Sequence, residues 1–399
     1  MADHPEVYQW TEVMRAHFPH LSKPQATVLA LWSLGLVFAR SCAVTAVTAW
    51  MALWLGRSAA AVRQQLREFC YEAAAKRGPQ RRDVVVSQCF VPLLRWVLEG
   101  YGGTHLALAI DATSLGDRFV VLAVSVLYRG CAIPVAWTVL AAGQPHAWRP
   151  EWLRLLRLLR PAIPPDLMVI VLADRGLYAP WLFRRIVRLG WHPFLRINLG
   201  GHFRPQGQDA FRPLRHFVPT PGTQWSGRGT AFKTKESRLD GTLLARWEAG
   251  HHDPWLILTD LPPEAADAAW YGMRAWIEQG FKITKRAGGQ WQHTRMTDPE
   301  RAARLWLVVA VATVWLLRVG GEADATIAEG TLDDLTPALA VAKRQRRATA
   351  VRLVGIVRRG WMLILVAVLT HAPLPLGAFL PEPWPARPPL VHYHLPEAA

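Results

Sequence analysis

Two short runs, LALAID over residues 106–111 and LMVIVLAD over 167–174, limit the fold more than any other part of the chain. Each is apolar without alternation until it ends in an aspartate. A strand that is apolar on both faces is buried on both faces, as in a sheet covered by helices. RFVVLAVSVL (118–127) and CAIPVAWTVL (131–140) follow the first run and are joined by Tyr128, Arg129 and Gly130, so the three segments read as a hairpin-linked meander. Helices are predicted over 148–160 and 180–189, the second leading to a strand at 194–197. Strands alternating with helices after a meander predict an α/β sheet.

The flanks differ in character. Residues 1–100 read as helical, with helices from Pro24 to about Arg40, from about Ala43 to Leu55, and over 59–75 with Ser58 as its N-cap. Helix, short Gly-containing turn and helix form a helix-turn-helix pattern or a plain helical hairpin. In the first case Arg57, Arg63 and Arg67 face DNA. The basic stretch 76–82 reads as a loop that meets phosphates. Residues 198–253 are rich in Gly, Pro, Arg and short polar strands, and read as a small β-rich insertion. WLILTDL (255–261) returns to a buried strand. Beyond Gly288 and Gly289 the chain is predicted helical through Arg318, and a basic helix is predicted over about 340–359, either solvated or facing DNA. Residues 372–399 are Pro-rich and read as extended or disordered.

The net charge is +16 with Arg the main contributor, which points to a polyanionic partner, nucleic acid or an anionic membrane surface. The apolar runs 305–317, 361–369 and 26–39 are shorter than a bilayer span and read as buried helices. The four cysteines, at 42, 70, 89 and 131, show no zinc-ligand spacing and fit reduced thiols in a cytosol. MADHPEVYQW lacks a basic segment followed by an apolar run, so no signal peptide is expected.

The stretch 271–285, YGMRAWIEQGFKITK, carries the chemistry. Projected at 100° per residue, Tyr271, Arg274, Glu278, Lys282 and Lys285 share one narrow face. Trp270, Met273, Trp276, Ile277, Gly280, Phe281 and Ile283 share the opposite, core-facing one. Ordinary Glu–Lys pairing on a surface helix would give a similar face. Asp111 and Asp174, however, end two buried strands, and sites in open α/β sheets form outside the carboxyl ends of strands. Three carboxylates brought together from these elements would hold two divalent ions, and hard oxygen ligands suit Mg²⁺ or Mn²⁺. An aspartate capping the turn after its strand is the plain alternative for each.

Tyr271, Arg274, Glu278 and Lys285 match every position of Y-x₂-R-x₃-E-x₆-K, and the sequence thereby resembles the bacterial insertion-sequence transposases that carry this YREK signature. IDATSL (110–115) and LADRGLY (172–178) resemble that family's first and second acid motifs, in the right order. The resemblance covers about residues 100–320. It implies a ribonuclease-H-like catalytic core over 101–320, with 198–253 as its β-rich insertion. Around it would lie a helical DNA-binding region over 1–100, a basic helical region over 321–371 and the tail 372–399. It further implies cut-and-paste DNA transposition by a DDE triad. Asp111, Asp174 and Glu278 would be the catalytic metal ligands for two Mg²⁺ or Mn²⁺ ions. Tyr271, Arg274 and Lys285 would grip DNA phosphates, and Lys282 and Arg175 join them by proximity to Glu278 and Asp174. The implied partners are double-stranded DNA, as terminal inverted repeats and target, and a second copy of the chain when DNA is bound. The implied location is the cytoplasm, at the nucleoid. A transposase-derived DNA-binding protein without catalysis, a metal-dependent nuclease on the same fold and a basic peripheral membrane protein are the competing readings.

Overall fold

A computed structural model describes residues 4–76, 82–143, 147–328, 354–387, 390–393 and 395. The central element is one mixed sheet. β1 (His105–Leu115), β2 (Phe119–Tyr128) and β3 (Cys131–Ala141) form the expected antiparallel meander. After α6 (Trp148–Leu159), β4 (Met168–Ala173) lies parallel to β1. After α7 (Pro180–Arg188), β5 (His192–Arg196) lies parallel to β4. The uninterrupted apolar runs are the reason: β4 is buried along five of its six residues and is covered on both faces, as its sequence requires.

The 198–253 region is β-rich, and its strands β6 (His202–Pro205), β7 (Arg212–Pro213), β8 (Thr223–Ala231) and β9 (Leu239–Trp247) extend the central sheet. β10 (Trp255–Thr259) pairs antiparallel with both β9 and β5, giving the order β3-β2-β1-β4-β5-β10-β9-β8-β6-β7. GTLLARWEA reads as polar in sequence, yet Leu243, Leu244 and Ala245 are buried once β8 and β10 flank them.

The N-terminal region is helical: α2 (Lys23–Ala39), α3 (Val44–Trp54) and α4 (Ala59–Cys70) lie close to their expected places, and α1 (Pro5–His17) and α5 (Phe90–Leu98) add two helices that the sequence reading did not place. α4 stops at Cys70 rather than Ala75, and Ser58 stands at its N-cap position without a side-chain capping bond. They gather around α9 (Pro299–Ala328), whose run 305–317 is buried throughout. Trp10 stacks on Trp315 at 4.0 Å, and Arg304 and Arg318 reach from α9 to the carbonyls of Cys70 and Trp96. By length and composition 299–325 would suffice to cross a membrane, but its apolar window is wholly buried inside the protein. Cys42, Cys70 and Cys89 are buried thiols, each pushed up to about 12 by desolvation. The basic stretch 77–81 and most of the predicted helix 340–359 lie outside the described residues. From Ile356 that stretch joins α10 (Ile356–Leu369), packed on α9.

The stretch 271–285 is not one α-helix. A 3-10 segment (Ala268–Ala275) leads into α8 (Trp276–Lys282), which ends in a π turn (Ile283–Ala287). α8 lies on β3, and Gly280 is the point of closest approach. A Cβ there would stand 2.8 Å from the Ala132 carbonyl oxygen and 2.9 Å from the Ala132 Cβ. Backbone and a rigid methyl cannot retreat, so Gly280→Ala must lift α8 off the sheet. The expected cost is about 1–3 kcal/mol of stability in chemical denaturation, the range for overpacking. Wild-type stability in that variant would show that α8 has room to spare.

Candidate active site

Asp111 lies on β1 and Asp174 directly follows β4. These parallel strands pair Ala109 with Leu172, so two residues further on the two aspartates stand level on neighbouring strands. Each has one oxygen tied to backbone. Asp111 Oδ1 accepts from the Ala112 amide at 2.8 Å, and Asp174 Oδ1 accepts from Gly176 and Leu177 at 2.9 and 3.2 Å. The other oxygen of each faces the same partner. Arg274 Nη2 donates to Asp111 Oδ2 at 2.8 Å and to Asp174 Oδ2 at 3.1 Å, while its Nη1 donates to Glu278 Oε1 at 2.7 Å. The structure thus brings together the three acids predicted from sequence, around one guanidinium.

The cluster is graded in exposure. The side chains of Arg274 and Asp111 are 14% and 17% exposed, against 40% for Asp174 and 56% for Glu278. Burial pushes the Asp111 carboxyl above its usual range. Arg274 and the Ala112 amide oppose that shift, and the neighbouring Asp174 and Glu278 add to it. Among the described residues, no three His, Cys, Asp or Glu side chains form a ready-made metal cage. Each acid is instead bonded to the guanidinium between them. The donor chemistry nevertheless fits a hard cation, because three carboxylates already surround a single positive group.

The remaining predicted residues are placed less uniformly. Tyr271 is buried with Met273 and Ile277 yet lines the cavity beside Asp174; it packs on Trp255 at 5.6 Å, and burial raises its hydroxyl to about 12. Arg175 is paired with Asp253 at 3.1 Å. Lys282 is exposed, and Lys285 is half-buried in the π turn, where desolvation pulls its ammonium below the usual range. Among the described residues no ion pair joins either lysine to the three acids. A cavity of about 290 Å³ opens beside Asp174, lined by Arg175, Arg196, Trp255, Tyr271 and Arg274. Arg196 and Trp255 were not singled out from sequence. Arg196 Nη2 donates to the Pro254 carbonyl at 3.1 Å, whereas its Nε, like that of Arg274, is buried with no hydrogen-bond partner among the described residues. The one local signal is an arginine ending an otherwise apolar strand, PFLR.

A carboxyl held above its usual range favours folding only while protonated, so ionised Asp111 costs stability, and the cost sets in as pH rises through its raised value. Asp111→Asn in metal-free protein is therefore expected to unfold a few degrees higher than wild type at neutral pH. The two should converge in acid. A lower midpoint at neutral pH would mean that pairing with Arg274 outweighs burial.

No curated protein matches the sequence. Residues 102–315, more than half of the chain and the part that holds all three acids, match the family model of the transposase DDE domain, and the chain belongs to that family.

Proposed function

We propose that this transposase binds the ends of its element and carries out divalent-metal-dependent strand cleavage and strand transfer, cut-and-paste fashion, on a ribonuclease-H-like core. The observation that carries the proposal is the convergence of Asp111, Asp174 and Glu278 on one cation. The sheet order β3-β2-β1-β4-β5, with β2 antiparallel to its neighbours and β4 and β5 parallel to β1, supports the ribonuclease-H-like assignment. Asp111, Asp174 and Glu278 are the proposed ligands of Mg²⁺ or Mn²⁺. When bound, a pair of such ions supplies an activated water or 3′-hydroxyl nucleophile and charge neutralisation at the leaving oxygen.

The side chains of the chain do the rest. The backbone amides of Ala112, Gly176 and Leu177 hold one oxygen of each aspartate and leave the other aimed inward. Arg274 neutralises the inward oxygens until a metal or a phosphate changes the balance. The cavity beside Asp174 gives its guanidinium somewhere to go, next to Arg175 and Arg196, where a DNA phosphate would meet three arginines. Lys282 and Lys285, further along α8 and the π turn, extend the same track. Tyr271 contributes by packing, since its ring fixes the start of the segment that carries Arg274.

Asp111→Asn, Asp174→Asn and Glu278→Gln should each abolish cleavage of element-end DNA in Mg²⁺ while leaving end binding largely intact. Cleavage retained in any of them removes that residue from the triad. Joined products identify a transposase, nicks without joining a nuclease, and a mobility shift without cleavage a binding protein. Arg274→Ala separates the two jobs of the guanidinium. Without DNA it should bind Mn²⁺ more tightly than wild type, on the order of tenfold, because the competing positive charge is gone. Its single-turnover cleavage should nevertheless fall, and Arg274→Lys should restore little, because the planar fork is lost. Equal Mn²⁺ affinity in wild type and Arg274→Ala would show that the guanidinium does not stand in the metal position.

A further inference from the structure

Beyond α10 the chain runs extended across the molecule and is anchored every few residues. Leu374 exchanges two hydrogen bonds with the Gln9 side chain. Trp315 and Arg318 donate to the carbonyls of Pro375 and Gly377. Phe379 lies edge-on to Tyr128, and Glu382 accepts from the Arg129 amide. The final contacts are of another kind. Trp384 packs edge-on against Trp270 at 4.8 Å and against His105 at 5.1 Å. Arg387 lies 5.0 Å over the Trp255 ring and pairs with Glu248. Val391–His392 then adds a short parallel strand, β11, to β8. Prolines at 373, 375, 381, 383 and 385 keep such a strap extended at low entropic cost, without a hydrogen-bonded ladder.

These last anchors fall on the segment that delivers Tyr271 and Arg274. A 3-10 run of eight residues, Ala268–Ala275, is long for its type, and its poorer hydrogen-bond geometry leaves tertiary packing to hold it. From the sheet side Phe194 meets Trp270 at 5.8 Å and Trp255 meets Tyr271 at 5.6 Å. The strap adds Trp384 on Trp270 and Arg387 over Trp255. The Arg387 guanidinium also reaches Gly272, where an added Cβ would stand 3.7 Å from Nη2. Gly272 is two residues from Arg274.

We infer that Trp384 and Arg387 are positioning residues: through Trp270 and Trp255 they clamp the 3-10 segment Ala268–Ala275, and so set where Arg274 stands among the three carboxylates. Neither touches the acids. Loosening the clamp should therefore leave the DNA-binding surface largely intact and misplace the guanidinium. The catalytic half of this inference rests on the proposed function, and the structural half does not.

The test uses the full chain carrying Trp384→Ala, Trp384→Phe or Arg387→Ala. Arg387 is half-exposed, so its variant keeps the question open to test if Trp384→Ala fails to fold. Hydrogen exchange is read first. Amides of 268–275 should lose protection in both alanine variants while those of β1 and β4 keep it, and Trp384→Phe should stay near wild type. Single-turnover cleavage at saturating end DNA should then fall on the order of 10- to 100-fold in the alanine variants, as small misplacements at a reacting centre do. DNA affinity should stay within about threefold of wild type by the same reasoning, and Trp384→Phe should recover most of the rate. Unchanged exchange over 268–275 in a folded alanine variant overturns the clamp. So does a normal rate despite lost protection, because the placement would then not matter. Should the wild-type chain fail to cleave, the catalytic reading falls while the exchange data still decide the clamp.

Discussion

The contact on which the candidate site depends is the guanidinium of Arg274 among Asp111, Asp174 and Glu278. Three formal negative charges stand against one positive charge, with Arg274 and Asp111 mostly buried and Asp174 and Glu278 open to solvent. At an effective dielectric of about 20, two like charges 4 Å apart repel by about 4 kcal/mol. The acids would therefore separate or take up protons without a cation between them. Asp111 is the member that shows this pressure, its carboxyl raised chiefly by burial. Removing the single cation of such a cluster would leave its carboxylates uncompensated, which costs more than the pairing gains. The arrangement is thus a demand for positive charge, met here by Arg274.

What the sequence shows of this is the part governed by local pattern. The two aspartates could be placed because fully apolar strands between helices have few other homes, and parallel pairing puts their ends level. Glu278 and Arg274 were legible from helical periodicity. Helical periodicity does not show that Tyr271 is buried. Side chains three residues apart eclipse in a 3-10 run, so Tyr271 keeps to the side of Arg274, and it is Trp255, from another element, that covers its ring.

The rest depends on partners far away in sequence. Trp255, Trp384 and Arg387 carry no local mark, since each acquires meaning only from a contact more than ten residues distant. The Pro-rich tail reads as unpacked because composition alone does not distinguish a free segment from one pinned by a few aromatic contacts. That the insertion continues the main sheet is hidden for a related reason. Its strands look polar until β10 bridges β9 to β5 and makes one sheet of both parts. That bridge is what brings Asp253 to Arg175 and the Pro254 carbonyl to Arg196.

Few of the cations nearest the acids are idle. Arg274 holds three carboxylates, Arg175 holds Asp253, and Arg196 is anchored to a carbonyl. A DNA strand arriving there would exchange ion pairs rather than form them anew, so the net gain per contact is smaller than for a free arginine. On the proposed reading, discrimination would follow from that exchange. A phosphate outside the cavity beside Asp174 would offer Arg274 and Arg175 no bidentate partner, and the internal pairs would persist. A strand seated in register would satisfy both arginines at once and leave the three carboxylates without their guanidinium. The affinity of the acids for a divalent ion would then be coupled to correct placement of the strand, because the carboxylates and the phosphate compete for the same side chain.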